Sequence, residues 1–231
     1  MVGFGSRSHA RGRPVLFDDR ADAGRQLATR LGHLRGSPVV VLGLPRGGVV
    51  VAAEVARALD APLDVLVVRK LGHPGQPELA LGAIGEGGVR VLTPDPSVRE
   101  GIDESVLQSV EQREAGVLRE RVARLREAHP RVPLDGRVAL VVDDGIATGS
   151  TIRAACLVAR ELGAARVVVG VPVAPPEAVR LLTEADEVVC LAMPTRFVAV
   201  GVHYGDFAQT SEAEVLALLE RGGTTGDGQR V

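Results

Sequence analysis

Residues 138–151 read VALVVDDGIATGST and decide the fold. The first five residues form an unbroken apolar run, which is typical of a parallel strand that is buried on both faces. Two adjacent carboxylates, Asp143 and Asp144, end this run, and a short loop of small and hydroxyl residues leads into a helical pattern after Thr151. The order of strand, acidic pair, loop and helix predicts one unit of a parallel α/β sheet flanked by helices.

The loop at residues 145–151 has the composition of a phosphate site. Backbone N–H groups at a helix N-terminus favour an anion, and small residues let a phosphate approach the backbone closely. Asp143 and Asp144 would repel that phosphate, but carboxylates accept hydrogen bonds from paired hydroxyl groups. A ligand with a diol beside a phosphate, such as ribose 5-phosphate, suits both the acidic pair and the loop. The alternative is a plain strand–turn–helix joint in which Asp and Thr are turn and cap residues.

The stretch resembles the phosphoribosyl-pyrophosphate (PRPP) signature of type I phosphoribosyltransferases, in which an apolar strand, two acids and three variable residues precede Thr-Gly-Gly/Ser-Thr. The resemblance extends over roughly residues 17–219, and the overall pattern is similar to bacterial phosphoribosyltransferase-like proteins. It implies that Asp143 and Asp144 hold the ribose 2- and 3-hydroxyls. It also implies a 5-phosphate loop made of Gly145, Ile146, Ala147, Thr148, Gly149, Ser150 and Thr151.

A second glycine turn, Pro45-Arg46-Gly47-Gly48, follows the apolar run at residues 38–44. The two glycines expose the backbone, and the guanidinium of Arg46 can bind an oxyanion through two hydrogen bonds. Considered alone, the pattern is explained equally well by a tight turn. It resembles the pyrophosphate loop of the same family, which implies that Arg46, Gly47 and Gly48 contact pyrophosphate.

A third strand is predicted at residues 63–68, and it closes with Arg69 and Lys70. Lys70 is the sole lysine of the chain. Ligands of open α/β sheets gather at the carboxyl ends of strands, so a basic residue there is a candidate site residue. The family also places a basic residue near the pyrophosphate at this point. A solvated strand end is the structural alternative.

Residues 71–88 are rich in Gly and Pro, and we predict a long irregular loop. The resemblance implies a mobile flap that covers the active site and excludes water. His73, Glu78 and Glu86 are candidates for a role in the flap, and the sequence does not choose among them. Residues 89–92 are predicted to return as a short strand, partly paired with residues 83–84.

The predicted organisation is a single phosphoribosyltransferase-like domain at residues 14–221. A flexible tail at residues 1–13 precedes this domain, and a disordered tail at residues 222–231 follows it. A small hood is expected from residues 14–36 and 194–219.

Capping residues place the helices within this domain. Asp18 or Asp19 caps a helix that runs to about residue 34, and Ser211 with Glu214 forms a capping box for a closing helix.

A long helix is predicted from Ser97 or Asp103 to about residue 128. A helix of this length can carry a dimer interface, which makes a homodimer one expectation. In the predicted hood, Phe197 and Tyr204 either stack on an acceptor base or form a small apolar core.

Composition excludes several classes of function. The chain has 231 residues, of which 45% are hydrophobic, and its net charge is −2, so no electrostatic attraction to nucleic acid or anionic membranes is expected. Cys156 and Cys190 lie in apolar patterns and are typical of buried thiols in a reducing compartment. No apolar run reaches membrane-spanning length and no signal-peptide pattern is present, which predicts a soluble cytoplasmic protein.

The expected function is transfer of a 5-phosphoribosyl group from PRPP to a nitrogenous base or related acceptor, with release of pyrophosphate. No dedicated protein metal site is predicted; Mg²⁺ would be carried with PRPP. Family members that use 6-oxopurines carry an acid at the position of Ala147, which argues against hypoxanthine or guanine, whereas adenine-type members tolerate alanine there. The alternative is a regulator of the same fold that binds PRPP or a nucleotide without turning it over.

Overall fold

The computed structural model of the chain describes residues 15–92 and 102–222, and the side chains of residues 77–79 are also outside the description. The predicted N-terminal tail, nearly all of the predicted C-terminal tail and the alternative helix start at Ser97 therefore lie outside the described residues. Within the described ranges, no helix combines the length and the apolar character needed to cross a membrane.

Eight strands are present in these ranges: β1 Val39–Gly43, β2 Leu63–Val65, β3 Val68–His73, β4 Gln76–Gly85, β5 Arg90–Leu92, β6 Val138–Val142, β7 Arg166–Val173 and β8 Glu187–Ala192. Five of them form a parallel sheet in the order β2-β1-β6-β7-β8. The other three form a separate antiparallel sheet in the order β3-β4-β5. The predicted parallel α/β sheet is confirmed, and the signature strand β6 lies at its centre.

Six α-helices accompany the strands in the described part of the chain: α1 Arg20–Arg30, α2 Gly47–Leu59, α3 Glu104–Ala128, α4 Ser150–Glu161, α5 Pro176–Arg180 and α6 Glu212–Gly222. One face of the parallel sheet packs against α1, α2 and α6, and the other packs against α4 and α5, while α3 packs against β3 and β4 of the antiparallel sheet. Along β6, Leu140 faces the first layer while Val141 faces the second, and both are fully buried. Burial of both strand faces explains why the strand is apolar at every position.

The prediction of an irregular loop at residues 71–88 is wrong, because most of this segment forms β3 and β4. The expected pairing with residues 89–92 is confirmed, since Ala83 lies opposite Val91. Glycine here serves close packing rather than flexibility. A Cβ on Gly82 would lie 2.3 Å from the carbonyl oxygen of Val91, and one on Gly85 would lie 2.4 Å from Cγ1 of Val158 in α4.

The third predicted strand, residues 63–68, is also corrected by the structure. The parallel strand β2 ends at Val65, and the chain enters β3 of the other sheet at Val68. Arg69 and Lys70 therefore lie inside an antiparallel strand instead of at the carboxyl end of a parallel one. Hydrophobicity could not reveal this break, because the apolar run continues through the bend between the two sheets.

Two capping predictions agree with the structure. The side chain of Asp19 accepts a hydrogen bond from Asp22 N at the start of α1, which ends at Arg30 and is followed by a 3₁₀ turn at Gly32–Leu34. At the start of α6, Glu214 N donates to Ser211 Oγ and Ser211 N donates to a carboxylate oxygen of Glu214, as in a capping box.

The two chain segments of the predicted hood meet at Phe17 and Tyr204, whose ring centroids are 5.3 Å apart. The backbone supports this contact, because Phe17 N donates to His203 O and Gly205 N donates to Phe17 O at 2.8 Å. The helices of these segments belong to the main layers, however, since α1 and α6 both pack against α2.

Candidate functional site

The two glycine-containing turns emerge side by side from the centre of the parallel sheet. Strands β1 and β6 are parallel neighbours, with Gly43 paired to Val142. Their carboxyl ends therefore place residues 45–48 next to Asp143 and Asp144. This is the edge where open α/β sheets bind ligands.

The glycine turn lies directly against the acidic pair. A Cβ on Gly47 would lie 2.0 Å from Oδ2 of Asp144, and one on Gly48 would lie 2.8 Å from Oδ1 of Asp143. Both positions consequently require glycine for this approach. The Pro45–Arg46 peptide bond is cis.

Arg20 is a residue of this site that the sequence analysis missed. Its Nε donates to Asp144 Oδ2 at 2.7 Å and its Nη1 donates to Ala208 O at 2.7 Å. The guanidinium carbon lies 3.8 Å from the centroid of the Phe207 ring. An arginine just after a helix cap has no local pattern that points to an acid 124 residues away.

Tyr204 forms a hydrogen bond with the backbone of Asp144. The phenol oxygen donates to the carbonyl oxygen of Asp144 at 2.5 Å, and the ring packs against Phe17 and Phe207. Only 5% of Tyr204 is exposed. This placement favours the small-core alternative for Tyr204 over stacking on a ligand. Phe197 stacks on His203, with 5.6 Å between ring centroids.

Burial and mutual repulsion disfavour the charged forms of the acidic pair. Burial raises the pKa of Asp143 well above its usual range, and the neighbouring charge of Asp144 raises it further. Burial also raises the pKa of Asp144, against the opposing effect of the Arg20 guanidinium. Hydrogen-bond donors from a ligand would favour the charged forms, so the pair is suited to accept hydroxyl groups.

The predicted phosphate loop divides into an anchored part and a presented part. Ile146 is buried and its N–H donates to Val173 O, while a Cβ on Gly145 would lie 2.6 Å from Cγ1 of Val200. These two residues fix the loop to the interior. The presented part includes exposed Ala147, Thr148 and Thr151. Between them lie Gly149, which is buried and has φ of +84°, and half-buried Ser150, whose Oγ lies 3.2 Å from Oγ1 of Thr148.

Arg69 and Lys70 are consecutive in β3, so their side chains point to opposite faces of the strand. Nζ of Lys70 donates to Oγ of Ser150 at 3.3 Å, which brings the lysine to the predicted phosphate loop. Arg69 forms an ion pair with Glu114 of α3, at 2.7 Å from nitrogen to oxygen. Lys70 therefore lies beside the predicted phosphate loop, and Arg69 connects β3 to α3.

Of the three candidates in the predicted flap, Glu86 has a structural position. It is 5% exposed, and both of its carboxylate oxygens accept hydrogen bonds from Arg126 at 2.7 Å. Nδ1 of His73 accepts a hydrogen bond from Gly75 N in the turn between β3 and β4. The side chain of Glu78 lies outside the described residues.

The acidic pair offers oxygen donors of the kind that Mg²⁺ binds. Among residues 15–92 and 102–222, no group of three or more His, Cys, Asp or Glu side chains is arranged to hold a metal ion. Mg²⁺ often binds through one or two carboxylates, substrate phosphates and water. Asp143 and Asp144 offer oxygen donors of this type, so they fit a metal that is bound together with a phosphorylated substrate.

Comparisons with known proteins agree with this geometry. The family described as Phosphoribosyl transferase domain matches residues 16–204. Two Mycobacterium tuberculosis proteins named "Putative phosphoribosyl transferase", MT0597 of strain CDC 1551 and Rv0571c of strain H37Rv, are each 59% identical over 207 residues. The match covers 89% of the chain but 47% of each relative, so the chain spans about half their length.

A solved structure is also similar. The crystal structure of TT1426 from Thermus thermophilus has a TM-score of 0.83 and 50% sequence identity, and the match covers 89% of this chain and 98% of that one. The signature strand, the glycine turn and the acidic pair all lie within the matched family region. The chain belongs to the phosphoribosyl transferase domain family.

Proposed function

We propose that the protein transfers the 5-phosphoribosyl group of PRPP to a nitrogenous acceptor and releases pyrophosphate. The observation that carries this proposal is the contact between the Gly47 turn and the Asp144 carboxylate, beside a loop that opens α4. This arrangement supplies neighbouring places for a diphosphate, a diol and a second phosphate, which are the three polar parts of PRPP.

In the proposed complex, Asp143 and Asp144 accept hydrogen bonds from the ribose 2- and 3-hydroxyls. The remaining carboxylate oxygens of the pair would accept them, because Asp144 Oδ2 is already engaged by Arg20. Backbone N–H groups and hydroxyls of residues 147–151 hold the 5-phosphate at the N-terminus of α4. These contacts fix the orientation of the ribose.

The leaving pyrophosphate would contact Arg46 and the backbone N–H groups of Gly47 and Gly48, with Lys70 as a further cation. Loss of pyrophosphate gives C1 of the ribose oxocarbenium character, as in glycoside chemistry. The protein then acts mainly by positioning the reactants and stabilising charge. Mg²⁺ bound together with the substrate would reduce the charge of the departing diphosphate.

The proposed acceptor is a nitrogenous base other than a 6-oxopurine, because the resemblance implies that 6-oxopurine-using members carry an acid at the position of exposed Ala147. Pyrophosphate release should therefore be measured with PRPP, Mg²⁺ and a panel of purine, pyrimidine and other nitrogenous acceptors. Release that depends on one acceptor, with formation of its ribonucleotide, is expected.

The same assay separates the transferase from the alternatives. Saturable PRPP binding without release in the presence of any acceptor would contradict catalysis and favour a regulator that senses PRPP. Loss of PRPP without an acceptor would indicate hydrolysis. Both outcomes are read from the products rather than from the fold, since one fold hosts several functions.

A further inference from the structure

Arg126, in the last turn of α3, lies at the junction of the two sheets, and its side chain is 15% exposed. Nε and Nη2 each donate to one carboxylate oxygen of Glu86 at 2.7 Å, and Nη1 donates to Oδ1 of Asp64 at 2.7 Å. The two remaining N–H groups donate to backbone oxygens, from Nη2 to Val65 at 3.0 Å and from Nη1 to His129 at 3.2 Å. All five N–H donors of the guanidinium are therefore used.

The two carboxylates that Arg126 binds belong to different sheets. Asp64 is fully buried in β2 of the parallel sheet, where it also accepts hydrogen bonds from Val65 N and Val132 N. Glu86 directly follows β4 of the antiparallel sheet and is also buried. Val65, whose carbonyl oxygen accepts from Arg126, is the last residue of β2 before the chain enters the other sheet. One guanidinium thus joins α3, the edge of the parallel sheet and the end of an antiparallel strand.

Stability alone does not account for this buried ion cluster. Its charged groups lose much of their hydration, and well-packed apolar residues of similar volume often stabilise a fold equally well or better. The hydrogen bonds of a planar guanidinium are directional, however, and a paired contact with a carboxylate fixes orientation as well as distance. The cluster is therefore suited to setting the angle between the two sheets.

The position of Lys70 depends on that angle. Lys70 pairs with Ala83 across β3 and β4, and Glu86 follows Ala83 by three residues. At the rise of a β-strand this separation is about 10 Å. Because Nζ of Lys70 reaches Oγ of Ser150, the same antiparallel sheet carries the lysine to the predicted phosphate loop. A rotation of this sheet at Glu86 would therefore move the lysine relative to a ligand in the site.

We infer that Arg126 is a positioning residue, which through its contacts with both sheets holds the antiparallel sheet so that Lys70 reaches bound PRPP. The inference rests on the proposed function and assigns no ligand contact to Arg126 itself. Arg69 and Glu114 also attach β3 to α3, but their ion pair includes no residue of the parallel sheet. The Arg126 cluster differs from that pair in fixing one sheet relative to the other.

The test is calorimetric titration with PRPP and Mg²⁺ in a double-mutant cycle. Glu86→Gln removes one negative charge of the cluster while Asp64 still balances Arg126, so the variant should fold, which circular dichroism checks. Its PRPP affinity should fall about fivefold, which is less than the loss of about tenfold expected for Lys70→Ala, because it acts only through Lys70. In the Lys70→Ala background, Glu86→Gln should change the affinity by less than about twofold.

Further measurements separate geometry from charge and from a general loss of stability. Arg126→Lys keeps the charge but cannot form the paired contact with Glu86, so it should also weaken PRPP binding by about fivefold. Glu111→Gln is the matched control, because the ion pair of Glu111 with Arg90 joins β5 to α3 and includes no residue of the parallel sheet. Without ligand, amides of β3 and β4 should exchange hydrogen faster in Glu86→Gln, while those of β6 keep their wild-type protection.

The outcomes that contradict the inference differ from those that contradict the proposed function. Equal losses from Glu86→Gln with and without Lys70 would show that Glu86 affects the site by another route, and would overturn the inference alone. Wild-type PRPP affinity in both Glu86→Gln and Arg126→Lys would also overturn it. Failure of the wild-type protein to bind PRPP would overturn the proposed function and, with it, the inference.

Discussion

Arg20 and Asp144 are 124 residues apart in the chain, yet Nε of Arg20 lies 2.7 Å from Oδ2 of Asp144. The same guanidinium donates to Ala208 O and covers the ring of Phe207. One side chain thus connects the first turn of α1, the acid after β6 and the segment before α6. This connection orients one of the two carboxylates that the proposed site needs.

Removing this connection should destabilise the fold. Only 11% of the Arg20 side chain and 17% of the Asp144 side chain are exposed, so solvent screens their pairing weakly. We expect Arg20→Gln to lower the free energy of unfolding by about 2–3 kcal/mol at pH 7, measured by urea denaturation. Arg25→Gln is the control, because the ion pair of Arg25 with Asp22 is largely exposed and should contribute less than about 0.5 kcal/mol.

A double-mutant cycle isolates the pair itself. Arg20→Gln in the background of Asp144→Asn should destabilise the protein much less than it does in the wild type, because no buried charge is left unpaired. Equal effects in the two backgrounds would show that Arg20 acts through Ala208 and Phe207 instead of through the carboxylate.

The raised pKa of Asp143 predicts a stability gain on neutralisation. A carboxyl whose folded pKa exceeds its unfolded pKa disfavours folding most above the folded pKa, and this penalty declines below that value and vanishes near the unfolded pKa. Asp143→Asn keeps an oxygen to accept from Asp144 N. We therefore expect a higher thermal midpoint at pH 7, by about 2–4 °C for each kcal/mol gained.

The pH dependence tests the cause of that gain. The difference in thermal midpoint between Asp143→Asn and wild-type protein should shrink as the pH is lowered, because the wild-type carboxyl becomes protonated. Glu161→Gln, at an exposed position, should show little difference at either end of the range. A gain for Asp143→Asn that is constant with pH would rule out desolvation of the charged form as its origin.

Gly47→Ala should impair ligand binding more than folding. The added methyl group would lie 2.0 Å from Asp144 Oδ2, and the carboxylate or the turn must move to relieve the overlap. We expect PRPP affinity to fall by about tenfold or more, corresponding to about 1.4 kcal/mol, as measured by calorimetry. Gly116→Ala is the control: it lies in α3 with open space around it, so it should leave binding intact and stabilise the helix by about 1 kcal/mol. Wild-type affinity in Gly47→Ala would show that the contact with Asp144 is unimportant for binding.

The centre of the sheet and the two turns at its carboxyl edge were predictable from sequence. The signature strand β6 is apolar at every position because both of its faces are buried. Two acids and a run of small and hydroxyl residues follow it, a composition that a purely structural turn seldom requires. Parallel pairing of β1 and β6 then places Arg46 and the acidic pair at one edge. Local pattern and simple topology are sufficient for this part of the site.

The antiparallel sheet and the long-range partners were not predictable in this way. Gly82 and Gly85 have the composition of a loop, but they are needed for close approach to a strand and to α4. The sequence around Arg20 indicates only a helix start. Its placement depends on how helices pack across the sheet, which leaves no periodic or local signal.

The central claim is that the acidic pair binds the ribose of PRPP, and calorimetric titration of PRPP with Mg²⁺ tests it most directly. Wild-type protein should bind one PRPP per chain with saturation, and Asp144→Asn should lose most of that affinity while its circular dichroism spectrum shows the native fold. Equal affinities for wild-type protein and Asp144→Asn would contradict the assignment of the carboxylates. No binding by the wild-type protein would contradict the account of the site as a whole.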